Sequence, residues 1–155
     1  MYRFAFFVLL SLTASIAFAA TKKSATAIDL NASFAQQKAQ IERELGDGET
    51  YAEISSQDRA AVREALNRIA SKLDMAGSVE SLTGQQKADV FNDQEKVNTI
   101  LTKASEDSRL VCRREKKVGS HREITECMTV AERRRAYENA QKTMRDVKVP
   151  ALEHR

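Results

Sequence analysis

The 155 residues include no tryptophan and only 6% aromatics, so any core must be built mainly from Leu, Ile, Val and Ala. The length suits one domain of modest core, and two cysteines are too few for an all-thiolate zinc site. The formal charge of +3 is unevenly placed: residues 20–108 are net acidic and residues 109–155 net basic. Such halves can neutralise one another within a molecule, or present a positive face to an anionic partner.

The chain opens MYRFAFFVLLSLTASIAFAA. A basic Arg3, an apolar run from Phe4 to Ile16 and an Ala17-Phe18-Ala19 cleavage pattern read as a secretory signal peptide over residues 1–19. The run is shorter than the ~20 apolar residues of a membrane span. No later stretch is apolar enough to span, and Ala20, the expected first mature residue, is no lipid-bearing cysteine. Export to the periplasm or beyond is the expected localisation.

Residues 20–50 read as a flexible lead carrying one weak helix, from Ser33 to Leu45, with a thin stripe of Phe34, Ala35, Lys38, Ile41 and Leu45. The GDGE segment at Gly46–Glu49 ends it. A single α+β domain is expected over residues 51–146. Its first helix, about 56–75, has an N-cap in SSQD and an apolar face of Val62, Leu66, Ile69 and Leu73. Val79 and Leu82 pack inward from a connector. Thr83 opens a second helix, about 84–105, whose buried face is Val90, Phe91, Val97, Ile100, Leu101 and Ala104. The amides Asn92, Gln94 and Asn98 near that face read as boundary residues bonded to backbone or to one another, with a polar pocket as the alternative. A closing helix, 130–146, carries the stripe Val130, Tyr137, Ala140 and Met144 beside the basic Arg133, Arg134 and Arg135. Residues 147–155 form a tail. The expected fold is mainly α (α+β): a helical hairpin with one stapled β-hairpin and a basic C-terminal helix.

The β-hairpin, about 109–128, follows from CRREKKVGSHREITEC. If Cys112 faces Cys127, then Arg113 faces Glu126, Arg114 faces Thr125, Glu115 faces Ile124 and Lys116 faces Glu123. Continuing outward, Lys117 meets Arg122 and Val118 meets His121, leaving Gly119 and Ser120 at the tip. Glycine first in a two-residue turn suits type II′. A bulge shifting this register by one stays open. Oxidising conditions outside the cytoplasm make Cys112–Cys127 a disulfide, worth about 3 kcal/mol in the chain-entropy model. Zinc lacks ligands here, because His121 lies far from the sulfurs and His154 is in the tail. A C-x-x-C redox spacing is absent, and no metal or cofactor is assigned.

The segment CRREKKVGSHREITECMT resembles a motif of small exported proteins of Gram-negative bacteria: C-R-x-E, a spacer, G-S-[RH], then C-x-T. The preceding FNDQEKVNTILTKASEDSRLVC resembles the longer form in xanthomonad-type bacteria. The resemblance spans about Tyr51 to Asp146. By motif it covers Cys112, Arg113, Glu115, Gly119, Ser120, His121, Cys127 and Thr129. It implies an exported compartment and a hairpin, and no activity.

Three readings of function follow. The first is a non-enzymatic interaction or structural module of the cell envelope with a protein partner, using the hairpin's unpaired edges. The second is an anion-binding module for lipopolysaccharide, anionic lipid or nucleic acid. Its surface would be Arg109, Arg113, Arg114, Lys116, Lys117, His121, Arg122, Arg133, Arg134 and Arg135. The counter-reading is that these bases pair with interleaved acids. The third is an enzyme built on His121 with Glu123 or Glu115, which an exposed tip disfavours; no catalytic residue is assigned. The narrow stripes leave a homodimer open, with Tyr137 and Met144 on the core or on a second subunit.

Overall fold

A computed structural model describes residues 27–147 apart from 31, 117 and 120. The signal segment 1–19, the first part of the lead, Lys117, Ser120 and the tail from residue 148 lie outside the described residues. The order is α1 (Phe34–Glu44), α2 (Ser56–Ala76), α3 (Gly84–Ser108), β1 (Leu110–Lys116), β2 (Glu123–Thr129) and α4 (Val130–Asp146). This is the mainly helical α+β architecture with one two-stranded antiparallel hairpin.

Local chemistry sets the starts of α2, α3 and α4. Ser55 accepts from the Asp58 N–H at 3.0 Å. Thr83 with Gln86, and Thr129 with Glu132, form reciprocal capping boxes. Gly77 ends α2 at φ +79°, a backbone that other residues adopt only with strain. After α1, Asp47 Oδ1 accepts from the Glu49 and Thr50 N–H groups at 2.8 and 2.9 Å, closing the turn that GDGE announces.

Helices α2 and α3 run antiparallel, since Arg68 meets Asp93 and Lys72 meets Asp89. Between them Val62, Ala65, Leu66 and Ile69 face Val90, Val97, Leu101 and Ala104 in one core. Each fully buried Val, Leu or Ile contributes about 1.5–3 kcal/mol over exposure. Leu73, Val79 and Ile100 pack at its border, and Leu82 is buried.

Three expectations change, and one open alternative narrows. Phe91 is 51% exposed: one residue past Val90, it is turned about 100° off the core face. Helix α3 continues to Ser108, because the buried Ser108 Oγ accepts from the Glu53 N–H at 2.9 Å and anchors the last turn. The lead is not wholly loose, since Ile28 and Leu30 belong to the core together with Phe34, Ile41 and Leu45 of the α1 region. Side-chain amides satisfy its backbone: Asn98 Oδ1 accepts from Ile28 N–H (2.9 Å) and Gln94 Nε2 donates to Ile28 C=O (2.6 Å). Gln37 does the same for Asp29 through both its amide atoms. Thus two of the three α3 amides bind backbone, while Asn92 is exposed. Finally, the α4 stripe does not seat on the core: Tyr137 is 64% and Met144 77% exposed, and Ala131 is the buried residue of this helix.

Candidate functional site

The strand pairing is Leu110↔Thr129, Cys112↔Cys127, Arg113↔Glu126, Arg114↔Thr125, Glu115↔Ile124 and Lys116↔Glu123, with Val111↔Met128 between the first two. A disulfide joins Cys112 to Cys127, whose Cα atoms lie 4.0 Å apart. The ladder stops at Lys116 and Glu123. Val118 therefore lies in the turn rather than in the strand, and His121 and Arg122 precede β2. Gly119 sits at φ +81°, in keeping with its turn role.

Hydrogen bonding separates the two sides of each strand. Val130 N–H donates to Arg109 C=O at 3.0 Å, one pair beyond the ladder. In an antiparallel ladder inward-bonding residues alternate. Arg109, Val111, Arg113 and Glu115 therefore bond inward to the other strand. The backbone groups of Leu110, Cys112, Arg114 and Lys116 face outward from β1. On β2 the outward set is Thr129, Cys127, Thr125 and Glu123. Thr129 agrees: its N–H donates away from the ladder to Glu132 Oε2 at 2.8 Å.

Helix α4 starts at the residue after β2 and is tethered by its arginines. Arg134 makes a two-pronged bond to Asp107, at 2.9 and 3.2 Å. Arg135 does the same to Glu53, at 2.7 and 3.3 Å. The carboxylate side chains of Asp107 and Glu53 are only 15% exposed. Thr129 Oγ1 also donates to Glu53 Oε1 at 2.7 Å. Glu53 thus joins α3, the end of β2 and α4. The Arg135 bond first, and the Thr129 bond second, hold its carboxyl below the ordinary 4.5. Arg133 crosses beneath the hairpin, 3.4 Å from Val111 C=O and 3.9 Å from Glu115 Oε1.

The basic residues named from sequence are thereby divided. Arg133, Arg134 and Arg135 are engaged with the molecule's own acceptors, and Lys116 lies 3.7 Å from Glu123. Arg113 and Arg114 are exposed and form no ion pair among the described residues. Arg109 is exposed at the α3–β1 junction, and His121 is exposed beside the tip. The carboxylates considered beside His121 contact cations instead, Glu123 with Lys116 and Glu115 with Arg133. An open groove between α2 and α3 is lined by Arg68, Lys72, Asp89, Asn92 and Asp93, and its charges pair across it. Among the described residues no three His, Cys, Asp or Glu gather as metal ligands, and no helix is long and apolar enough to cross a membrane.

Sequence reading missed the junction made by Glu53, Asp107 and Ser108. Nothing marks Glu53 locally, because its partners stand 55 to 82 residues away. The one available signal was the acid-first, base-last charge order. No family model, no curated protein and no solved structure matches the chain.

Proposed function

We propose that this is an exported, non-enzymatic interaction module of the cell envelope, and that its binding surface is the disulfide-locked hairpin. One observation carries the reading. The hairpin stands outside the core with nearly every side chain exposed, and it bears Arg113 and Arg114, adjacent cations without an acidic partner among the described residues. A covalently closed ribbon loses little freedom on docking, which favours a binding role. The signal-like residues 1–19 and the resemblance to exported Gram-negative proteins support the compartment.

The test is crosslinking and capture from envelope extract with the native protein and with Arg113→Glu/Arg114→Glu. Loss of a specific partner in the variant supports the hairpin as the binding face. An unchanged partner set removes it.

A second reading, binding to a polyanion or an anionic lipid surface, draws on the same two guanidiniums and on Arg109. It is weakened because Arg134 and Arg135 are already bound to Asp107 and Glu53. Retention on heparin that collapses between low and moderate salt favours it; salt-independent binding counts against it.

A further inference from the structure

We propose that the outer edge of β1 binds a partner by strand addition, and that the partner is an extended acidic segment with two adjacent carboxylates. The inference rests on the interaction-module reading and names the class of partner.

The first argument is backbone. The groups of Leu110, Cys112, Arg114 and Lys116 point away from β2, as the Val130–Arg109 bond dictates. They form an open row of donors and acceptors along a seven-residue strand. The equivalent row on β2 is closed at one end, where Thr129 N–H is taken by Glu132 and α4 begins immediately. Among the described residues the β1 row has no such cover, and it ends in an exposed Leu110 that an incoming strand would shield.

The second argument is charge. β1 carries Arg113, Arg114 and Lys116 against Glu115 alone, and Glu115 is turned toward Arg133. β2 carries Glu123 and Glu126 and no base. Consecutive strand residues point to opposite faces, so Arg113 and Arg114 present one guanidinium on each face of the ribbon. An added strand meets both only if two neighbouring residues, also on opposite faces, are acidic. Glu126 stands across from Arg113 without closing an ion pair, and Thr125 offers Arg114 no charge. The disulfide keeps the row straight and in register, so docking does not first have to order a strand.

The test titrates the folded, oxidised protein with three blocked seven-residue probes rich in Thr and Val, with central Glu-Glu, Lys-Lys or Gln-Gln. Backbone amide shifts and calorimetry are read together. The Glu-Glu probe is expected to move the amides of Leu110, Cys112, Arg114 and Lys116, and to bind at least about tenfold more tightly than the Lys-Lys probe. Arg114→Pro removes one outward N–H, a loss an edge strand tolerates, so comparison with Arg114→Ala isolates that hydrogen bond. Proline should bind roughly fivefold more weakly than alanine. Leu110→Pro repeats the deletion with every charge intact. The preceding Arg109 is already extended at ψ 123°, as a residue before proline requires.

Equal binding by the proline and alanine variants, with both proline variants still folded, overturns edge addition in favour of a charge-only contact. Shifts confined to β2 or α4, concentration-dependent self-pairing without probe, or no binding by any probe overturns it too; in the last case the cations only guard the edge. These failures are separable from failure of the broader reading. An envelope partner that Arg113→Glu/Arg114→Glu abolishes but Arg114→Pro does not leaves the interaction module standing and removes the strand-addition mode.

Discussion

Glu53 is the residue on which the attachment of α4 turns. Its carboxylate accepts from Arg135 and Thr129 while its own N–H donates to Ser108. Glu53→Ala leaves Thr129 Oγ1 and Arg135 without an acceptor, and should lower unfolding free energy by about 1–2 kcal/mol in urea titrations. Arg135→Ala should cost less, because that side chain is half exposed and solvent replaces its partner. The pH dependence has a definite sign. A carboxyl lowered by folding contributes stability above its ordinary 4.5, and that stability is lost as pH falls through the folded value. The difference between the native protein and Glu53→Gln should therefore be full at pH 6 and shrink in acid, as read from thermal unfolding. The amide clamp on Ile28 behaves separately: Gln94→Ala/Asn98→Ala strips two bonds from buried backbone and should expose residues before Phe34 to limited proteolysis while α2 and α3 stay resistant. At this scale the caps of α2 and α3 were readable, because Ser55 and Thr83 act on backbone three residues away. The clamp was foreseen only as a type of contact. Which backbone Gln94 and Asn98 would hold is decided by a segment some 70 positions distant.

Among the elements, the hairpin shows how far covalent constraint carries a prediction. Two cysteines set one register, and every residue from Leu110 to Lys116 follows it. The tip was less legible, because near Val118 neither burial nor charge favours continued pairing. Replacing both cysteines, Cys112→Ser/Cys127→Ser, should remove about 3 kcal/mol from hairpin closure. The inward-bonded amides of Val111, Arg113 and Glu115 should then exchange with solvent roughly a hundredfold faster, with α2 and α3 little affected. Equal loss of protection across all helices would show instead that the ribbon and the body unfold as one unit. Helix α4 taught the opposite lesson. Its period-3.6 stripe identified a helix correctly but not its position, since amphipathicity records that a face is apolar and not what covers it. The arginines beside the stripe, rather than the stripe itself, tie it down.

For the whole molecule, the apolar pattern of α2 and α3 located the centre of the core, and the acidic-to-basic order of the chain proved partly internal. Asp107 and Glu53, both before Arg109, neutralise Arg134 and Arg135 after it. The contribution of the lead was hidden because Ile28 and Leu30 sit among small polar residues with no period to flag them. Core and surface should separate sharply in mutagenesis. Leu66→Ala, at a fully buried site, should cost about 3–5 kcal/mol, whereas Tyr137→Ala should change monomer stability by about 0.5 kcal/mol or less. Chemical denaturation of the two variants side by side checks this.

Thr129 is the last residue of β2 and the cap of α4, so no loop intervenes to absorb rotation between them. Seventeen helical residues extend about 25 Å from that point, and the Arg134–Asp107 and Arg135–Glu53 pairs hold the first turns of the helix to the body. A swing of α4 about Thr129 must therefore stretch those two pairs, so the junction locks the orientation of ribbon, helix and body together.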